Sequence, residues 1–258
     1  MSHKLFTDQM GREVTFSFPP HRIISLVPSQ TEFLLDIKAP IVGRTKFCVH
    51  PGNKVKKIPV VGGTKNFRFG EIRKLQPDLI IGNKEENYRE GITELWKEFP
   101  VWMSDIHTLD DAYEMMSSLG QITDRTGQAH PILSDCKAIM KVIRNTRVGK
   151  VVYLIWQNPW IAVGRKTFIN SMLSHLGYEN AVVSNRYPEL SVEEITKLKP
   201  DYILFSSEPF PFNQTHLNLA KNRWEDANCQ LVNGELFSWY GSRLRKWRET
   251  TENSHTES

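Results

Sequence analysis

The sequence predicts an α/β protein of two similar lobes, each a parallel-stranded sheet flanked by helices, joined by one long interlobe helix. Three observations predict it. First, one segment occurs twice, about half a chain apart. Glu71-Ile72-Arg73-Lys74-Leu75-Gln76-Pro77-Asp78-Leu79-Ile80-Ile81 returns as Glu194-Ile195-Thr196-Lys197-Leu198-Lys199-Pro200-Asp201-Tyr202-Ile203-Leu204. Each copy reads as an amphipathic helix stopped by Pro-Asp and followed at once by a short apolar strand. Second, short apolar runs alternate with helical patterns throughout, as parallel sheets require. Third, a helix-periodic stretch separates the two halves. The repeat spacing far exceeds the roughly 20–50 residues of solenoid units, so it marks two lobes. Two lobes imply a cleft, where ligands commonly bind.

In the first lobe, Arg22 to Val27 is an apolar run short enough for a buried strand. Ser29 with Glu32 three residues on reads as a capping box opening a helix through Phe33, Leu34, Leu35 and Ile37. Ile41-Val42-Gly43 is a second strand, and Val60-Val61 runs into the flexible Gly62-Gly63. Leu79 to Ile81 and Val101 to Met103 are further strands. Leu109 to Ile122 carries Leu109, Ala112, Met116 and Leu119 on one helical face, and Ile132 to Ile143 keeps helical spacing towards Gly149. The second lobe repeats the order with a strand over Lys150 to Ile155 and a helix from Thr167 to Leu176 that ends at Gly177. An extended piece at Ala181 to Val183 and a strand over Tyr202 to Phe205 complete it. The expected division is 1–126 for the N-terminal lobe, 127–149 for the interlobe helix and 150–258 for the C-terminal lobe. A helical connector is stiff, so hinge opening is expected to be small. The polar tail from Glu249 to Ser258 is expected to be disordered.

Composition bounds the function. Of 258 residues, 40% are hydrophobic and 24% charged, which places the chain among ordinary globular proteins. A formal charge of +4, spread along the chain, gives no basic patch of the kind nucleic acid needs. No apolar run reaches the roughly 18–20 residues that span a bilayer. The first ten residues hold no apolar stretch suited to a secretion signal, which fits either a cytoplasmic protein or one whose leader has been removed. Cys48, Cys136 and Cys229 form no CxxC and fit neither a disulfide framework nor a zinc knuckle. A monomer is expected.

Ligands of open parallel sheets bind beyond the carboxyl ends of the strands. The loops there offer Phe47, Trp156, Trp160, Trp239 and Tyr240 beside Lys46, Lys65, Lys84 and Arg243. Aromatic walls with cations suit a large, partly planar anionic ligand. The competing reading is that these aromatics fill the lobes' cores. Enzyme motifs are largely missing: there is no GxSxG, HExxH or GxxxxGK[ST]. Cys48 and His50, two residues apart, leave one alternative: an intracellular tetrapyrrole- or metal-handling enzyme or metallochaperone. No catalytic residue, resident metal or cofactor is otherwise expected.

The stretches Arg22 to Glu32, both Leu-x-Pro-Asp segments and Trp156-Gln157-Asn158-Pro159-Trp160 resemble the helical-backbone (class III) solute-binding proteins, the cobalamin and ferric-siderophore receptors of ABC importers. The resemblance spans roughly Arg22 to Trp247. It implies two α/β lobes, a shallow cleft, no catalysis and a metal-chelate ligand, a corrinoid such as cobalamin or a ferric siderophore. It looks closest to the cobalamin-binding branch, whose cleft aromatics correspond to Phe47 and the Trp156 to Trp160 segment. It also implies a permease-docking Glu on each lobe. Glu193 stands there in the second lobe, but Gly70 takes the place in the first, with Glu71 one residue later. Lys65 and Asn66 stand where cobalamin binders offer an aromatic, which points to a more anionic ligand.

Overall fold

The computed structural model describes residues 2–143 and 145–253. They form two compact units. Unit 1 comprises Met1–Ile106, Asp110–Ala138 and Tyr240–Arg245, and unit 2 comprises His107–Leu109, Ile139–Trp239 and Lys246–Ser258. Tyr240–Arg245, grouped by chain order with 150–258, thus belongs with unit 1. There Arg243 and Arg245 pair with Glu32 and Asp36, and Tyr240 and Leu244 are buried.

Unit 1 opens with an antiparallel hairpin, β1 (Ser2–Thr7) and β2 (Glu13–Phe18). Buried Asp8 closes its turn, its carboxylate accepting from the Met10 and Arg12 backbone N–H groups. Then follow β3 (Ile23–Ser25), α1 (Pro28–Asp36), β4 (Ile41–Arg44), α2 (Gly52–Val55), and the small antiparallel pair β5 (Gly62–Gly63) and β6 (Asn66–Phe67). Next come α3 (Phe69–Lys74), β7 (Leu79–Asn83), α4 (Arg89–Trp96), β8 (Val101–Ser104), α5 (Leu109–Ile122) and α6 (Thr126–Ile143). The sheet is four parallel strands in the order β4-β3-β7-β8.

Unit 2 holds β9 (Gly149–Trp156), β10 (Trp160–Ala162), α7 (Phe168–His175), β11 (Tyr178–Asn180), β12 (Glu189–Leu190) and α8 (Val192–Lys197). It continues through β13 (Tyr202–Ser206), α9 (Gln214–Arg223), β14 (Asn228–Val232) and α10 (Gly234–Ser238). After the 3-10 turn at Ser242–Lys246, which lies in unit 1 up to Arg245, comes α11 (Trp247–Asn253). β11, β9, β13 and β14 form a parallel core, as expected, but β10 and β12 extend it antiparallel. Only a short turn separates β9 from β10, too short for a parallel crossover.

Several local expectations need correction. α1 begins at Pro28 with Val27 as its N-cap, and no side chain caps it. Pro28 fits the first helical position because its missing N–H would have no partner there. Ser29 is therefore inside the helix, and Glu32 turns to Arg243. The predicted interlobe helix ends at Ile143, and Gly149 already opens β9. The extended piece expected at 181–183 lies just past β11. Glu249 to Asn253 lie in α11 rather than in a disordered tail, and 254–258 lie outside the described residues.

The repeated segment is the framework of both units. Its helices, α3 and α8, leave through one left-handed residue each, Gln76 (φ 43°) and Lys199 (φ 46°), directly before the proline. Ile72 and Ile195, at matching positions, are both fully buried. The aspartate then fastens the unit's first parallel strand. Asp78 accepts from the backbone N–H groups of His21 (2.6 Å) and Arg22 (2.9 Å), and Asp201 accepts from that of Lys150 (2.7 Å). The strand that follows lies parallel to that first strand, β7 on β3 and β13 on β9. Gly149 (φ 156°) is required here, because a Cβ would stand 2.9 Å from the Asp201 carboxylate. Asp78→Ala and Asp201→Ala are each expected to lower unfolding stability by about 1–2 kcal/mol, the loss of charged acceptors. Urea denaturation measures it, and an unchanged midpoint in both variants would contradict the role.

Candidate functional site

In unit 1 the last residues of three adjacent strands are Ser25, Asn83 and Ser104, all buried. A backbone group at the end of a strand has no further ladder partner, so side chains must satisfy it. Asn83 does most of this. Its amide donates to Ser104 Oγ (3.0 Å), and its Oδ1 accepts from the Glu85 (2.8 Å) and Glu86 (3.0 Å) backbones. Asn87 in turn accepts from Asn83 N (2.9 Å) and donates to the carbonyls of Leu26 (3.1 Å) and Thr64 (3.2 Å). Gln30 donates to Ser104 Oγ. Asn83 and Asn87 together fix the 84–87 loop, and Asn87 ties it to Leu26 and Thr64.

The Tyr240–Arg245 segment belongs to this end of unit 1. Tyr240 is buried, and burial first, then the nearby Glu86 carboxylate, pushes its hydroxyl pKa well up. Arg243 Nε meets Glu32 Oε2 at 3.0 Å with both side chains largely buried, and Arg245 meets Asp36 at 2.8 Å. Burial raises the Glu32 pKa above the ordinary 4.5, and Arg243 offsets part of that rise. Cys48 is a buried thiol 3.0 Å from Thr31 Oγ1 and 3.2 Å from Thr45 Oγ1, with its pKa raised by burial. A thiol so placed is a poor nucleophile. His50 is half-buried in the following turn.

Unit 2 builds its strand ends differently. Tyr153 is fully buried, its hydroxyl donating to Ser206 Oγ (3.2 Å), and Ser206 Oγ donates to the Glu208 carbonyl (2.6 Å). Glu208 Oε1 accepts from Ser238 Oγ (2.7 Å) and the Trp239 indole N–H (3.1 Å). Trp160 stacks on Phe212 (6.1 Å, 4° between planes) and meets Phe205 and Trp224 edge-on.

The predicted site residues therefore fall into two groups. Phe47 (49% exposed) and Trp156 (38%) present their rings to solvent, with Lys46 Nζ 4.9 Å from the Phe47 ring and Phe210 edge-on behind Trp156. Lys65 and Lys84 are exposed too; Lys65 donates to the Glu85 carbonyl (2.6 Å), and Lys84 pairs with Asp105. Trp239, Tyr240 and Arg243 are buried, and Trp160 is half-buried in the aromatic cluster of its unit. Glu193 and Gly70 are both exposed at the second position of their helices, α8 and α3, so they are structural equivalents; Glu71 is engaged by Lys74 at 2.8 Å. The sequence reading missed the supporting residues Asn83, Asn87, Ser104 and Glu208. The Asn83/Asn87 pair, four residues apart just past an apolar strand, was the available signal.

Residues 23–222 match the periplasmic binding protein family, and the chain belongs to it. Over 214 residues it is 26% identical to an uncharacterized ABC transporter substrate-binding lipoprotein of Bacillus subtilis, covering 76% of this chain and 67% of that one. Over 200 residues it is 23% identical to the vitamin B12-binding protein of Vibrio cholerae, covering 74% and 72%. The crystal structure of the periplasmic vitamin B12 binding protein of Vibrio cholerae superposes with a TM-score of 0.79 at 19% identity, over 91% of this chain and 96% of that one. The family and its structural neighbours are substrate-binding proteins of transport, not enzymes.

The Glu32–Arg243 pair carries a testable pH dependence. Because burial raises the folded-state pKa of Glu32, its contribution to stability is full below about pH 4.5 and falls as pH rises through the folded value. Arg243→Met leaves the ionised Glu32 buried without its partner. The variant is expected to lose about 3 kcal/mol at pH 7 and clearly less at pH 4, measured by denaturation at both. A loss that is the same at both pH values would contradict the pairing.

Proposed function

We propose that this protein binds a metal-containing small molecule, a corrinoid or a ferric chelate, and presents it to an ABC-type importer. The observation that carries the reading is the pair of exposed aromatic rings, Phe47 and Trp156, at the strand ends of a periplasmic binding protein fold. Exposed aromatic faces are costly in water and gain most when a flat, apolar ligand covers them. Similarity to a vitamin B12-binding protein supports the corrinoid arm. Exposed Lys65, and Lys84 of the 84–87 loop, supply cations in the same unit as Phe47, which favours a ligand bearing anionic groups.

In this reading the remaining predicted residues act from behind. Trp160 supports the aromatic loop through its stack on Phe212, Trp239 is held by Glu208, and Tyr240 and Arg243 brace the polar end of the unit 1 sheet. Glu193 would meet the permease from α8, while Gly70 offers α3 no equivalent charge. A permease contact through Glu193 alone would be weaker and more salt-sensitive than one made through two carboxylates.

Absorbance titration with cyanocobalamin, cobinamide, haem and a panel of ferric siderophores tests the reading. Saturable binding is expected for one class, with tryptophan fluorescence quenched in step. Phe47→Ala or Trp156→Ala should weaken it by about 1–2 kcal/mol, roughly tenfold. Absence of saturable binding across the panel, or affinity unchanged in both variants, would count against it.

A further inference from the structure

Unit 2 carries a pocket of about 590 Å³ at the amino end of its sheet, away from the strand-end loops just described. Gly177 and Tyr178 line it, and Tyr178 pairs with Gly149 at the very start of β9. Two guanidinium-bearing residues, Arg147 and Arg165, line it as well. Both sit on backbone that is held on either side. Asn145 N and Val148 N donate to the carbonyls of His175 (3.2 Å) and Gly177 (2.7 Å). Arg165 N donates to Ser184 O (2.8 Å), and its carbonyl accepts from Arg186 N (2.8 Å).

Neither guanidinium has a salt-bridge or hydrogen-bond partner among the described residues. Glu179 also lines the pocket, yet it pairs with neither. The other polar groups add donors. Asn170 spends its carbonyl oxygen on Asn180 Nδ2 (2.9 Å), which leaves its N–H groups available, and Ser174, one turn on, brings a hydroxyl. Two like charges lining one concavity repel each other, and the arrangement is relieved when an anion enters. A guanidinium fork matches the geometry of phosphate or carboxylate oxygens.

We propose that this pocket binds an oxyanion, phosphoryl or polycarboxylate, bridging the 145–148 segment to α7 and β11. The site is independent of the chelate-binding reading and needs no chelate for its test. Thermal unfolding of the full chain is followed against inorganic phosphate and, separately, citrate, with sodium chloride holding ionic strength constant. Once the anion concentration passes about 1 mM, Tm is expected to rise with its logarithm for at least one of them. In Arg147→Ala/Arg165→Ala, whose side chains are exposed and whose folding is checked without anion, the concentration at which the rise sets in should move up by about tenfold or more. Whichever anion acts at the lower concentration identifies the phosphoryl or the polycarboxylate source. A Tm unchanged by either anion at constant ionic strength, or an identical rise in the double variant, would overturn the proposal.

Discussion

The structure depends on one constraint: polar groups at the carboxyl ends of buried parallel strands must find partners where the ladder stops. In unit 1 those partners are Asn83, Asn87, Ser104 and Gln30. They satisfy the strand ends and at the same time fix the loop that carries Lys84, Glu85 and Glu86. A site made of loops acquires its precision from such a layer, since loops without it would be mobile. Unit 2 meets the same constraint with the chain from Tyr153 through Ser206 to Glu208, which extends to Trp239.

At the other end of each sheet, the Pro-Asp turn does the corresponding work. Asp78 receives backbone N–H groups just ahead of β3, and Asp201 one at the start of β9, so helix, turn and two strands form one braced unit twice over. Similar bracing at this end leaves the strand ends free to differ. Unit 1 ends in amides, hydroxyls and cations, and unit 2 ends in stacked aromatics.

Much of the architecture was legible in the sequence because it is local. The repeat, the short apolar runs and the stop at Pro-Asp all lie within a dozen residues, and the strands β3, β4, β7, β8, β9 and β13 fall where those runs do. What was not legible rests on distant partners. Arg243 reads as a free cation near an aromatic cluster until Glu32, 211 residues away, comes to it. The β1–β2 hairpin was passed over although Val14 and Phe16 alternate with polar residues, the ordinary strand signal. Trp156 and Trp160 look alike in sequence, but the β9–β10 turn sends one outward and packs the other on Phe212. Side-chain fate across such a turn is set by register, which local pattern does not specify.

A crystal structure of the protein with the tightest-binding member of the chelate panel tests the central claim most directly. The account predicts ligand packed against an exposed aromatic ring, Phe47 or Trp156, and, where it is Phe47, an anionic group within hydrogen-bonding reach of Lys65 or Lys84. A ligand seated away from both rings, for example against Arg147 and Arg165, would contradict it.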